Sequence, residues 1–230
     1  MAGRQLGRYE MLCPLATGGM AAVYIGRALG VAGFERLVAV KVLHPHLAHE
    51  EEFISMFLDE ARLAARIRHP NVVATQDISD TEGDGFFLVM EYIEGHHLGA
   101  LLQQASKESL RVPPSIVVRT VVDALGGLGA AHALVAERGK PLNLVHRDIS
   151  PENILLARSG AVKVADFGIA RLETSDLTQA GAVLGTPAYM SPEQFLGQPV
   201  DSRSDLFSCG VILYQFLTGE KPFTGNVTTI

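Results

Sequence analysis

Cysteine is nearly absent: Cys13 and Cys209 are the only two in 230 residues, in unrelated sequence settings. Two distant thiols exclude a disulfide-stapled scaffold and suit a chain kept reduced. Long apolar runs are lacking too. No segment reaches about 20 uncharged apolar residues, the length a bilayer-spanning helix needs. The opening MAGRQLGRYEML has no unbroken apolar stretch of the kind a signal peptide carries. Nor is there an excess of positive charge. The 19 Lys and Arg against 25 Asp and Glu give a formal net charge of -6, so no basic field argues for a nucleic-acid partner. Internal repeats and low-complexity tracts are likewise missing.

What is present is a hydrophobic fraction of 47%, enough to bury a sizeable core in one large domain or two coupled lobes. The α+β reading divides the chain near residue 92. Residues 1–92 read as strands around one helix: 9–15 and 22–28 flank the turn TGGM, 37–43 (LVAVKVL) forms a third strand, and strands at 72–78 and 86–92 complete a small antiparallel sheet. The helix, 53–67, puts Phe53, Met56, Phe57, Ala61 and Ala64 on one face, with the acidic run Glu50, Glu51, Glu52 suited to its first turn. Residues 93–230, reached through a short segment at 91–95, read as mainly helical. A helix runs from Pro113 to about Ala136 and a strongly apolar one covers 205–217, with NILLA and AVKVA as small strands between them. A cleft between two such lobes is a common ligand site.

Lys41 sits in a strand where Ala39, Lys41 and Leu43 face one way and Val38, Val40 and Val42 the other. Either way its neighbours are apolar, and an unpaired ammonium there is costly. Glu60, beside the apolar face of its helix, is the obvious partner. Upstream, the glycines of LATGGMAAVY allow backbone amides to approach phosphate oxygens closely. The strongest segment is VHRDISPENILL followed by VKVADFGIA. It sets Asp148 and Asn153 in a polar loop between apolar strands and Asp166 after the next strand. Phosphoryl transfer needs a carboxylate to accept a hydroxyl proton and oxygen ligands to hold magnesium, and these three residues supply both.

From about Tyr9 to Phe223 these motifs resemble the catalytic domain of the eukaryotic-like (bacterial-type) serine/threonine protein kinases. The resemblance implies a bilobal kinase fold that transfers the γ-phosphate of ATP to Ser or Thr hydroxyls of proteins in bacterial signalling. The cofactors are ATP and Mg2+, with Mn2+ as an alternative. Residues 1–92 would be the ATP-binding lobe and 93–230 the catalytic lobe, incomplete at its C-terminus. Lys41 would contact the α- and β-phosphates and pair with Glu60. Asp148 would be the catalytic base, and Asn153 and Asp166 the metal ligands. Leu15, Val23, Ala39 and Leu155 would sandwich the adenine, with Met90 as gatekeeper and the backbone from Glu91 to Ile93 on the adenine edge. The phosphate loop would be Ala16, Thr17, Gly18, Gly19, Met20, Ala21 and Ala22. In GTPAYMSPEQ, Thr186 would hydrogen-bond near Asp148, a mark of Ser/Thr specificity. Thr174, Ser175 and Thr178 would be the candidate activation phosphosites, and Arg147 could pair with a phosphate on one of them. Asp205 would brace the catalytic loop through backbone amides, or cap its helix.

Four departures stand out. Ala16 and Ala21 replace two phosphate-loop glycines, Ser150 replaces a lysine facing the γ-phosphate, and Phe207 replaces a tryptophan. Helices that in the family follow residue 230 would cover apolar surface and provide an arginine for Glu193, so the sequence anticipates an unpaired Glu193 and exposed apolar side chains, and a larger parent protein. Rival readings are a catalytically impaired pseudokinase or scaffold, and a small-molecule phosphotransferase. The last lacks a reason for GTPAYMSPEQ. Expected partners are protein substrates and a second copy for autophosphorylation, with neither nucleic acid nor a membrane segment in this chain. The expected localisation is cytoplasmic, an anchor beyond Ile230 being left open. His44, His46 and His49 have a spacing that invites a metal, yet no cysteine or fourth ligand accompanies them, and they read as solvated loop residues.

Overall fold

A computed structural model of the chain describes residues 3–81, 85–136, 139–167 and 187–223. The chain forms two compact units, one of Met1–Arg66 with Val73–Ile93, the other of Ile67–Val72 with Glu94–Ile230.

The first unit is built on a six-stranded antiparallel sheet in the order β1-β2-β3-β4-β6-β5. Its strands are β1 (Gln5–Leu6), β2 (Tyr9–Thr17), β3 (Ala21–Leu29), β4 (Glu35–Leu43), β5 (Thr75–Thr81) and β6 (Gly85–Glu91). Because side chains alternate across a strand, β4 divides the sheet into two chemically different faces. Val38, Val40 and Val42 join Leu6, Tyr9, Met11, Phe87 and Val89 in one buried layer. Gly26 makes room for that layer, since a Cβ there would meet Val40 Cγ2 at 2.9 Å. The opposite face follows from the register. Val23 pairs with Lys41, Lys41 with Leu88 and Ala39 with Met90, so these side chains share a surface.

Helix α1 (Glu51–Ala64) of this unit starts with Glu51 and Glu52 in its first turn and buries Phe57 and Ala61. Those carboxylates oppose the positive end of the helix dipole. The helix begins two residues before the expected 53 and ends three before 67. The fourth expected strand starts late as well. β5 opens at Thr75, whereas Val72 forms an isolated parallel bridge to Val164 and belongs to the second unit.

That unit holds the sheet β7-β8-β9, of β7 (Gly95–His97), β8 (Ile154–Ala157) and β9 (Val162–Val164). Its helices are α2 (Leu98–Lys107), α3 (Pro114–His132), α4 (Pro192–Phe195) and α5 (Ser202–Thr218). Pro114 occupies the first turn of α3, where its missing N–H costs nothing. By length and composition α3 could cross a membrane. It nevertheless carries the ion pair Arg119–Asp123, buries Val117, Val121, Ala124, Leu128 and Ala131, and packs against α5 and β9, which is how a core helix behaves. Helix α5 begins at Ser202 with Asp201 as its cap, not at 205. It leaves Leu206, Tyr214 and Leu217 exposed, in keeping with the apolar surface expected of it.

Candidate active site

In the first unit, the site begins with an ion pair. Lys41 Nζ donates to Glu60 Oε1 at 2.8 Å, with the two side chains only 16% and 13% exposed. β4 supplies the lysine and α1 the acid. Around Lys41 lie Val23 and Ala39, with Met90 beside Ala39 on β6. Ala39 and Met90 are buried, and Val23 is half-buried. Ala16 pairs with Val23 and so reaches the same face. Leu15 falls at a register shift between Pro14 and Ala16 and is exposed. Ala22 pairs with Val42, which turns its methyl towards the valine layer.

Thr17 ends β2 opposite Ala22, and Gly18, Gly19 and Met20 make the turn to β3. It closes through Gly18 N–H to the Ala21 carbonyl at 2.9 Å. Two further bonds hold its tip: His44 N–H to the Met20 carbonyl at 2.9 Å and the His44 ring Nε2 with the Gly18 carbonyl at 2.9 Å. At the other end of the sheet, Glu91 N–H donates to the Ala74 carbonyl at 2.9 Å. Ile93 is half-buried.

In the second unit, Asp148 and Asn153 are brought together. Asn153 Nδ2 donates to the Asp148 carbonyl at 2.7 Å and to its Oδ2 at 3.3 Å. The Ala165 amide donates to the Asn153 carbonyl at 2.9 Å, which sets Asp166 one residue from this loop. Asp166 adopts φ +51° and Arg147 φ +67°, both in the left-handed region that non-glycine residues enter at a cost of order 1–3 kcal/mol. Such strain persists only where surrounding contacts over-determine it, and here they do.

Those contacts centre on two residues. Asp205, only 1% exposed, accepts from the amides of His146 and Arg147 at 2.9 Å each and from His132 Nε2 at 2.7 Å. It thus braces the loop through backbone amides, while Asp201 does the capping. His146 is fully buried. Its Nε2 donates to the Ala165 carbonyl at 2.9 Å, and its Nδ1 accepts the Asp148 amide at 3.3 Å, while its ring packs 4.6 Å from Phe167. One imidazole therefore ties the Asp148 backbone to the residue preceding Asp166. Sequence reasoning gave His146 no role. The only hint was a polar residue between the apolar pair Leu144–Val145 and the charged pair Arg147–Asp148. Gln194 was missed as well. Its Nε2 donates to the Arg147 carbonyl at 2.6 Å, and its side chain completes the capping box of Ser191.

The Arg147 guanidinium has its pKa lowered by burial, an effect the nearby Asp205 charge opposes. Tyr189 is pushed up to about 12 by burial and then by the charge of Glu152, and its hydroxyl donates to Gln215 Oε1 at 2.6 Å. Ser150 is 4% exposed and its carbonyl accepts the Asn153 amide at 3.0 Å. Leu155, half-buried on β8, pairs with His97 and Lys163. Glu193, anticipated as lacking a partner, accepts the Ser204 hydroxyl, which draws its pKa below the ordinary value. A cavity of about 570 Å³ opens beside Pro151 and Glu152, between α2, Tyr189 and the end of α5. Thr186, Thr174, Ser175 and Thr178 lie outside the described residues.

Comparison with known proteins agrees with this geometry. The protein kinase domain family matches residues 9–230. The tyrosine-protein kinase MasK of Myxococcus xanthus is 45% identical over 219 residues, which is 95% of this chain and 34% of that protein. The serine/threonine-protein kinase PknL of Mycobacterium tuberculosis is 43% identical over 220 residues, 95% of this chain and 51% of that protein. The chain thus spans about a third to a half of these relatives. Among solved structures, the kinase domain of M. tuberculosis PknI superposes with a TM-score of 0.71 at 27% identity, covering 97% of this chain and 78% of the other. With a match running through both units and across all the motifs above, the chain belongs to the protein kinase domain family.

Proposed function

We propose that this chain transfers the γ-phosphoryl group of ATP to serine or threonine hydroxyls of protein substrates, itself included, in a bacterial signalling role. The observation that carries the reading is the Asp148–Asn153 pair. Asn153 points its amide nitrogen at Asp148, which leaves its carbonyl oxygen turned the other way, a hard ligand of the kind magnesium takes. Asp166 supplies the second. Bound there, Mg2+ would neutralise phosphate charge. Lys41, held by Glu60, takes the α- and β-phosphates, and Asp148 orients the substrate hydroxyl and accepts its proton. Val23, Ala39, Met90, Leu15 and Leu155 form the adenine surroundings, with main-chain groups from Glu91 to Ile93 on its edge. Thr186 favours an aliphatic hydroxyl. Relatives divide on this point, MasK being named a tyrosine-protein kinase and PknL a serine/threonine-protein kinase. A cytoplasmic setting for the domain fits its reduced-thiol composition.

The buried Ser150 and the methyls of Ala16 and Ala21 favour one second reading, a scaffold with impaired catalysis. Radiolabelled ATP with Mg2+ and myelin basic protein, followed by phosphoamino-acid analysis, separates these. Phosphoserine and phosphothreonine that fall at least roughly 100-fold in Asp148→Ala support the proposal. Phosphotyrosine alone overturns the Ser/Thr assignment, and equal label in both proteins supports the scaffold.

A further inference from the structure

The turn between β2 and β3 is held by one residue that neither catalysis nor the core accounts for. His44 follows directly on β4, and its main-chain amide extends the β3–β4 ladder to the Met20 carbonyl. Its ring adds a second bond, to the Gly18 carbonyl at 2.9 Å. A carbonyl can only accept, so Nε2 carries the proton of that bond. The ring is itself steadied by His46, stacked on it with centroids 5.6 Å apart.

A trans peptide is planar, with its C=O and N–H pointing in opposite directions. Fixing the Gly18 carbonyl on His44 therefore aims the Gly19 amide away from His44, and fixing the Met20 carbonyl does the same for the Ala21 amide. Gly19 N–H donates to no backbone carbonyl among the described residues. Gly18 and Gly19 are flanked by the methyls of Ala16 and Ala21, and neither glycine stands in the left-handed region. The Gly18 amide is held by the Ala21 carbonyl, and the Gly19 amide is oriented by the His44 tether and not by an unusual backbone conformation.

We propose that His44 is a positioning residue for the nucleotide phosphates: its imidazole tethers the Gly18 carbonyl and so presents the Gly19 amide to phosphate oxygens. This rests on the ATP-binding reading above. Losing one such hydrogen bond weakens the ordered state by roughly 2- to 10-fold, and the loss should fall on phosphate recognition alone.

The test is calorimetric and kinetic, with wild type, His44→Ala and His44→Gln, the last keeping an N–H donor at about the Nε2 position. His44→Ala should weaken Mg·ATP and raise its KM by roughly 2- to 10-fold, with kcat and adenosine affinity within about twofold and an unchanged melting temperature. His44→Gln should recover most of the ATP affinity. Equal ATP affinity in wild type and His44→Ala overturns the proposal, as does a parallel loss of adenosine binding or of folding that His44→Gln fails to rescue. A wild type that binds adenosine and ATP and transfers phosphate while His44→Ala is unaffected overturns this inference alone. A wild type that binds no nucleotide overturns the ATP-binding reading with it.

Discussion

Lys41 and Glu60 meet at 2.8 Å with both side chains largely removed from solvent, an arrangement in which either charge alone would be poorly solvated. Lys41→Met should abolish phosphoryl transfer and destabilise the protein by about 1–3 kcal/mol, less than for a fully buried pair because some exposure remains. Adding Glu60→Gln should recover part of that stability and none of the activity. Urea unfolding beside the label-transfer assay checks both halves.

Asp205 is the opposite case, a buried carboxylate committed to main-chain amides. Asp205→Ala leaves the His146 and Arg147 amides and the His132 ring without their acceptor. It should cost about 3–5 kcal/mol. Asp205→Asn, which keeps one acceptor oxygen, should cost roughly half as much. Denaturant midpoints rank the two, and equal midpoints would remove Asp205 from its bracing role.

Much of this network was legible beforehand, and the reason is physical. Lys41 and Glu60 declared themselves because charged residues beside apolar neighbours demand partners, and Asp148, Asn153 and Asp166 because polar loops between apolar strands are conspicuous. The expected strand at 72–78 misread Val72, whose bridge to Val164 is a tertiary pairing that alternation cannot encode. The two-residue β1 and three-residue β7 were missed because elements that short leave no period to read. Helix α2 was missed too: its N-cap is His97, whose ring accepts the Ala100 amide, outside the usual Ser, Thr, Asp and Asn signals.

Helix α3 contains a built-in control for packing. A Cβ on Gly127 would sit 2.6 Å from the Asn71 carbonyl, whereas one on Gly129 would meet nothing within 4 Å. Gly127→Ala should therefore destabilise by about 1–3 kcal/mol. Gly129→Ala should stabilise by about 0.5–1 kcal/mol through helix propensity. Thermal melts of the pair test whether α3 lies directly against the 67–72 segment.

The two thiols should differ sharply in reactivity. Cys13 is exposed and Cys209 is 2% exposed. Burial, and then the charge of Asp205, pushes the Cys209 thiol up to about 12. A raised thiol pKa keeps the unreactive SH form throughout the neutral range. Iodoacetamide at about pH 8 should label Cys13 within minutes and Cys209 only after unfolding, as read by intact mass. Rapid double labelling of the folded protein would contradict the burial of α5.

The division of β4 into alternating faces makes the placement of Lys41, and with it the proposed phosphate contact, dependent on the parity of residues before it. Inserting one residue between Leu37 and Val38 while keeping the strand paired would rotate Lys41 into the place of a valine and deliver Val40 to the face Lys41 now occupies beside Glu60. Two inserted residues would restore the original orientation one step further along. Activity in this strand is thus expected to depend on whether an indel is odd or even before it depends on which residues are added, and lineages carrying length changes here should change in pairs.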